Sequence, residues 1–172
     1  APESLMVDLR QAIREGVEKG PRLETHINAI TEPRPWFIDR PDLTKRVLDE
    51  LQEYPEAWVG FSLTPVTAYG FRLYRNTSRL HVHVDKTKTH VISFILHIDS
   101  SDDAEPWPIL IEDLQGSTYD YSVSKIRNKN IQIPLSIQNE HFFLFAPKSF
   151  CNGDFGTDNL TLIKFCFSCI PI

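Results

Sequence analysis

The stretch that decides the fold is FRLYRNTSRLHVHVD, at residues 71–85. Its last part, residues 80–85, is predicted to form a strand, and alternate side chains of a strand share one face. His81, His83 and Asp85 then lie on one side of that strand. Two imidazoles and a carboxylate on one face can bind a first-row transition metal. A polar strand edge in water would carry the same residues, so the six residues alone leave both interpretations open.

Short strands dominate the sequence after residue 58. The candidates are rich in Val, Ile, Phe and Tyr, and turn residues separate them. They are predicted at residues 58–63, 67–74, 80–85, 90–98, 108–112, 119–123, 131–135, 141–145 and 160–168. Such a series is typical of a β-sandwich or a β-barrel.

The first third of the chain has helical periodicity instead. A helix is predicted at residues 4–19, because apolar residues recur four positions apart on one face. A second helix is predicted at 41–54, with Pro55 as its stop signal. The apolar positions of the first helix are Leu5, Leu9, Ile13 and Val17. Helices followed by strands predict an α+β domain in which both helices pack on one sheet.

The length of the chain fits a single domain. Its 172 residues are enough to bury a sizeable core. We expect one domain over residues 1–172, with a helical part at about 1–57 and a β-sandwich at about 58–172.

Charge and hydropathy argue against two classes of partner. The net charge is −5, whereas a phosphate-binding surface concentrates Lys and Arg, so no nucleic acid is expected. No apolar run reaches the roughly 20 residues that span a bilayer, so no membrane is expected either. The first residues lack the basic and apolar segments of a signal peptide. We therefore expect a cytoplasmic protein, and secretion or the lumen of the endoplasmic reticulum remain alternatives.

The three cysteines are predicted to be inert. Cys166 and Cys169 have CxxC spacing, but they fall in the predicted strand at 160–168. A redox CxxC normally opens a helix, and a zinc site needs a second pair of ligands. Burial in the core is the common role of a free cysteine.

The stretch at residues 71–85 resembles the prolyl-hydroxylase-like iron(II)/2-oxoglutarate oxygenases. In that family a strand carrying a Tyr leads through a loop to His-x-Asp. The Tyr precedes the His by nine positions, as Tyr74 precedes His83. The predicted strand at 90–98 fits the same layout, and the resemblance extends over about 61–116.

The resemblance implies a double-stranded β-helix, a jelly-roll-like sandwich, around an iron(II) ion. His83 and Asp85 would bind the iron together with a distal His, and 2-oxoglutarate would be the cosubstrate. Tyr74 would contact that cosubstrate, and Lys164 on the last strand would bind its far carboxylate. The alternative for Lys164 is a solvent-facing position on an outer sheet. The substrate would be a small molecule or a protein side chain, which the enzyme would hydroxylate.

The distal half of the sequence departs from the family pattern. Residues 142–154 have the expected strand followed by a ligand position, but Asn152 stands where the family has its distal His. Asp154 stands where a basic residue often follows. Because the amide oxygen of Asn is a weaker iron ligand than imidazole, we expect an impaired site.

Three other interpretations remain. The first is a catalytically silent binding or structural module on the same fold, which Asn152 favours. The second is that the sequence from about residue 117 onward is an altered form of a normal family sequence. The third is a metallo-hydrolase, whose signature has a His where this chain has Lys86. A further His-x-Asp, His97 and Asp99, is interpreted as a turn signal at a strand end.

Overall fold

The computed structural model describes residues 1–25, 30, 33–75, 78, 80, 81, 83, 90, 92–100, 109–112, 117–121 and 160–169. The helices within these residues are α1 (Glu3–Glu18), α2 (Pro41–Leu51) and α3 (Glu53–Val59). The strands are β1 (Arg22–Leu23), β2 (Trp36–Ile38), β3 (Leu63–Ala68), β4 (Phe71–Tyr74), β5 (Ile92–Ser100), β6 (Ile109–Glu112), β7 (Thr118–Tyr121) and β8 (Leu160–Cys169). No helix of this described part is long and apolar enough to cross a membrane.

Helices α1 and α2 confirm the two helices that the sequence predicts. The buried residues of α1 are spaced three and four apart along one face: Leu5, Leu9, Ala12 and Ile13. After α1, Gly20 takes a left-handed conformation with φ 82°, which glycine adopts at little cost. Pro41 begins α2, where its missing N–H has no intrahelical partner to lose.

Helix α3 contradicts the strand predicted at residues 58–63. Pro55 does not stop a helix here, since it lies in the first turn of α3, where a proline costs no hydrogen bond. The helix ends at Gly60, whose φ is 81° and whose N–H donates to the Glu56 carbonyl. The Glu56 carboxylate then accepts a hydrogen bond from the N–H of Leu63, the first residue of β3.

The main sheet is antiparallel and has β8 at its centre. The strand order is β1-β2-β4-β8-β3, and β5 also pairs with β8. Strand β4 pairs with the first part of β8, and β3 pairs with the second part. Because β5 pairs along both parts, it lies on the opposite edge of β8. Strands β6 and β7 form a separate two-stranded sheet.

The helices pack on one face of this sheet. A single core cluster joins buried residues of α1 and α2 to buried residues of the strands. Its members include Leu5, Leu9, Val47, Phe71, Leu73 and Ile92. The prediction of an α+β domain with helices packed on one sheet is therefore confirmed for the described residues.

Several strands differ from the sequence prediction. Tyr69 and Gly70 divide the strand predicted at 67–74 into β3 and β4. Leu80 forms an isolated bridge with Ile30, but neither His81 nor His83 belongs to a strand. The regular strand predicted at 80–85 is thus wrong at these two histidines. The strands predicted at 131–135 and 141–145 lie outside the described residues.

Candidate functional site

One face of the main sheet has polar residues at its centre. On β4, Phe71 and Leu73 belong to the core cluster that contains the helices. Successive side chains of a strand point to opposite faces, so Arg72 and Tyr74 lie on the face turned away from the helices. All four residues of β4 are buried, so this second face is covered as well.

A buried ion pair holds the Arg72 side chain. Its Nε donates a hydrogen bond to Glu24 Oε2 at 2.7 Å, and the two side chains are 6% and 0% exposed. Glu24 directly follows β1, and its backbone N–H donates to the Pro35 carbonyl. The Glu24 carbonyl accepts a hydrogen bond from Arg34 Nη1. These backbone contacts fix the position from which the Glu24 carboxylate reaches β4.

Two ring side chains extend this group of residues. The Arg72 guanidinium lies 5.4 Å from the centroid of the Tyr69 ring, which is a cation–π distance. The Tyr69 hydroxyl lies 2.9 Å from His90 Nε2. We refer to Glu24, Tyr69, Arg72, Tyr74 and His90 as the polar-face cluster.

Tyr74 is the residue to which the resemblance assigns cosubstrate binding. It is only 3% exposed, so its ring is not on the outer surface. Burial raises the pKa of its hydroxyl above 10.0, although the Arg72 charge and a hydrogen bond with Arg72 act in the lowering direction. Tyr74 is therefore a protonated phenol at neutral pH and can donate a hydrogen bond.

The register of β8 brings Lys164 to the same part of the sheet. On one side of the break between β3 and β4, Ala68 pairs with Phe165. On the other side, Arg72 pairs with Leu162. Lys164 therefore stands opposite the break. Alternate residues of a strand lie on the same face, so the Lys164 position is on the same face of the sheet as Leu162 and its partner Arg72.

His97 lies at a position on this same face, on the neighbouring strand β5. It pairs with Leu162 in the register of β5 with β8. The register then shifts between His97 and Asp99, as in a β-bulge. Both residues lie in the last part of β5, which ends at Ser100, and the turn predicted after them lies outside the described residues.

A backbone carbonyl orients the imidazole of His83. Its Nδ1 lies 2.8 Å from the His81 carbonyl oxygen. Because a carbonyl oxygen only accepts, Nδ1 carries the proton in this contact, and the lone pair of the neutral ring is on Nε2. Metal-binding histidines are commonly oriented by such a bond from the other ring nitrogen. The geometry at His83 therefore suits a metal ligand.

The other two residues of the expected iron site, Asp85 and Asn152, lie outside the described part of the chain. Among the residues that the structure describes, no group of three or more His, Cys, Asp and Glu side chains could hold a metal ion. Coordination by His83 and Asp85 thus stays a prediction. An imidazole and a carboxylate are the ligand types that non-haem iron(II) takes.

Sequence reasoning did not identify most of the polar-face cluster. Arg72 was recognisable in principle, because it alternates with Phe71 and Leu73 in a predicted strand, and a buried Arg requires a partner. Its partner Glu24 is 48 positions away, and nothing in the pattern around Glu24 indicates the pairing. Tyr69 and His90 likewise meet only in the folded chain.

Comparisons with known proteins found no relative of this chain. No family model matches the chain, and no curated protein or solved structure is significantly similar to it. The functional proposal rests on the residues of this chain and on the motif at residues 71–85.

Proposed function

We propose that this protein is an iron(II)- and 2-oxoglutarate-dependent oxygenase, a hydroxylase of a small molecule or a protein side chain. The observation that carries the proposal is the buried Tyr74 on β4, on the sheet face that also contains the position of Lys164. The chain leads from Tyr74 to His83 with the spacing of the oxygenase motif. His83 is oriented with its lone pair on Nε2.

The residues divide into a metal side and a carboxylate side. His83 Nε2 and the Asp85 carboxylate would hold the iron, which supplies oxygen activation when it is bound. Tyr74 would donate a hydrogen bond to the far carboxylate of 2-oxoglutarate. Lys164 would contribute positive charge to the same carboxylate.

The charge balance of the polar-face cluster favours this assignment of Lys164. Arg72 is already paired with Glu24, so these two buried groups together are neutral. A carboxylate ligand needs a further cation, since its charge is expensive to remove from water without a partner. Lys164 is a cationic residue whose backbone position lies on the same face of the sheet as Arg72.

Anaerobic titration with iron(II) and 2-oxoglutarate tests the metal side, with the weak visible metal-to-ligand band as the signal. We expect His83→Ala and Asp85→Ala each to abolish tight iron(II) binding. His81→Ala is the matched control, because it removes an exposed imidazole and keeps the backbone carbonyl that orients His83. If the wild type binds iron(II) no better than the His83→Ala/Asp85→Ala double variant, the site does not exist.

We also propose that the iron site is impaired, because Asn152 stands where the family has its third protein ligand. Asn152→His should raise iron(II) affinity and speed succinate formation from 2-oxoglutarate. Wild-type turnover of roughly one per second or faster, an ordinary enzyme rate, would contradict the impairment. A variant no better than the wild type would contradict the assignment of the distal position to Asn152.

A catalytically silent binding module is the second candidate, and Asn152 is the observation that favours it. Such a module would bind 2-oxoglutarate or the metal with no succinate formed. Activity in the Asn152→His variant and none in the wild type would favour this candidate for the natural chain.

A further inference from the structure

We propose that Ser78 and Arg75, held by the backbone of residues 33–35, position the His83 ring for metal binding. Both are positioning residues, since they act on the ring through the chain and do not touch the metal themselves. The proposal rests on the proposed function, because the ring that they place is the expected iron ligand. The oxygenase motif gives no role to Ser78, to Arg75 or to residues 33–35.

Residues 33–35, which read Pro33-Arg34-Pro35, form a short stiff segment directly before β2. A proline ring fixes its own φ and also restricts the residue before it, so Arg34 is limited as well. The end of the segment is anchored, because Pro35 is fully buried and its carbonyl accepts the Glu24 N–H at 2.9 Å. The carbonyl oxygens of this segment therefore have nearly fixed positions.

Ser78 connects the segment to the part of the motif that leads to His83. It is buried, with an exposed fraction of 4%. Its hydroxyl donates to the Pro33 carbonyl at 2.5 Å and accepts a hydrogen bond from the Arg75 N–H at 3.2 Å. The Ser78 N–H donates in turn to the Arg75 carbonyl at 2.9 Å. One buried hydroxyl thus joins the motif to the stiff segment and to its own neighbour.

Arg75 makes a second connection to the same segment. Its Nε and Nη2 both donate to the Arg34 carbonyl, at 3.1 and 2.6 Å. Its guanidinium lies 5.4 Å from the centroid of the Trp36 ring, which is a cation–π distance. Two consecutive carbonyls, those of residues 33 and 34, therefore hold two residues of the motif.

The contacts continue along the chain towards His83. Leu80 forms an antiparallel bridge with Ile30, and both residues are buried. One position after this bridge, the His81 carbonyl oxygen lies 2.8 Å from His83 Nδ1. The place of this carbonyl, and with it the direction of the His83 ring, depends on the anchored positions of Ser78 and Leu80.

The first experiment measures the affinity for Mn(II), a stand-in for iron(II), by anaerobic titration in which electron paramagnetic resonance counts the free ion. Ser78→Ala removes only the hydroxyl. We expect its Mn(II) affinity to fall about tenfold or more, the usual loss when a group that orients a metal ligand is removed. Ser78→Thr keeps a hydroxyl in place and should restore most of the affinity. Equal Mn(II) affinity in Ser78→Ala and the wild type would overturn the proposal.

Thr44→Val is the matched control. Thr44 is also buried, and its hydroxyl also donates to a proline carbonyl, that of Pro41 at 3.2 Å. It belongs to α2 and not to the motif. Thr44→Val should bind Mn(II) as the wild type does. If it lost as much affinity as Ser78→Ala, the loss would follow from general destabilisation, and the positioning role would be wrong.

A second measurement needs no metal and observes the imidazole of His83 directly, by ¹⁵N NMR of histidine-labelled protein at about pH 8, where an ordinary imidazole is neutral. The chain has six histidines, and His83→Asn identifies the signals of His83. In the wild type, the nitrogen facing the His81 carbonyl, Nδ1, should carry the proton. In Ser78→Ala the two nitrogen shifts should move towards each other, because the second tautomer becomes populated.

The two measurements separate the positioning role from the proposed function. If the wild type binds no Mn(II) but the ring signals change in Ser78→Ala and not in Thr44→Val, the proposed function is overturned and the path of contacts to His83 stands. If the wild type binds Mn(II) and Ser78→Ala changes neither affinity nor signals, the positioning role is overturned and the proposed function stands. A loss of affinity with unchanged ring signals would also overturn the role, since the ring would then not be what Ser78 places.

Arg75→Met provides the test even if Ser78→Ala does not fold. It removes both donors to the Arg34 carbonyl and keeps an apolar stem beside the Trp36 ring. Because Arg34 is only half-buried, water can reach the carbonyl that loses its partner. We expect the same two changes as in Ser78→Ala, a weaker Mn(II) affinity and converging ring shifts. Wild-type values for both would contradict the proposal.

Discussion

At the scale of single residues, the four positions of β4 are buried on two different faces of the sheet. Phe71 is fully buried against the helices, while Arg72 and Tyr74 are buried on the other face. A buried ion pair is weak grounds for stability, because desolvation offsets its attraction. Here the pair holds the Arg72 guanidinium on the face of β4 that also carries Tyr74.

The buried phenol of Tyr74 predicts a loss of stability at alkaline pH. Its folded-state pKa is raised above 10.0, so the folded chain holds this proton more tightly than the unfolded chain. The resulting stability is fully present below pH 10 and is lost as the pH rises through the folded-state pKa. Tyr74→Phe should therefore lose less stability than the wild type between about pH 9 and 11 in urea unfolding.

Tyr54→Phe is the control for this measurement, because Tyr54 is 48% exposed. Its free energy of unfolding should follow the wild-type pH dependence. Equal slopes for the wild type and Tyr74→Phe would contradict the perturbed phenol.

The spacing of the oxygenase motif singles out Tyr74 and His83, and the roles of both residues stay predictions. Tyr74 itself is buried. Glu24 was not predictable, because a side-chain contact between distant residues leaves no mark on local periodicity. The orientation of the His83 ring was also not predictable from the sequence, since it depends on the backbone carbonyl of His81.

At the scale of elements, the break between β3 and β4 depends on Gly70. A Cβ at this position would lie 2.6 Å from the Ile38 carbonyl oxygen and 2.6 Å from the Phe37 ring. The carbonyl belongs to the backbone of β2 and cannot turn aside as a flexible side chain could. Gly70 thus permits the close approach of β2 at the break between β3 and β4.

Gly70→Ala should destabilise the fold by about 1–3 kcal/mol, the usual cost of overpacking. Urea unfolding followed by tryptophan fluorescence measures the change. Thr64→Ala on β3 is the control, because an exposed substitution usually changes stability by less than about 0.5 kcal/mol. If Gly70→Ala were as stable as Thr64→Ala, β2 would not pack against this position.

Elements with long periodic patterns were the predictable ones. Helices α1 and α2 follow from apolar residues at helical spacing, and β8 follows from a long apolar run. Strands β1 and β2 have two and three residues, which is too short for a periodicity to exist. Helix α3 was missed because Pro55 can either stop a helix or lie in its first turn.

At the scale of the whole molecule, the strand order was the least predictable feature. Composition and periodicity indicate strands and helices, but they do not say which strands pair. Strand β8 is late in the sequence and yet lies between β4 and β5, which come before and after the His-x-Asp segment. This order brings Lys164 beside the strand of Tyr74, so the proposed carboxylate site depends on the long-range pairing of β4 with β8.

The central position of β8 predicts that one proline in it disrupts both the fold and the site. Leu162 pairs with Arg72 on one edge of β8 and with His97 on the other, so the N–H of Leu162 points towards a paired strand whichever edge it faces. Leu162→Pro removes that donor and leaves a carbonyl of the neighbouring strand without its partner, at a cost of about 1–3 kcal/mol before any steric effect. Leu162→Val keeps the donor and is the control. We expect Leu162→Pro to lower the urea midpoint well below that of Leu162→Val and to abolish 2-oxoglutarate binding, because β4 and β8 separate. A proline variant as stable as the valine variant would place β8 at an edge of the sheet, where Lys164 could not share a ligand with Tyr74.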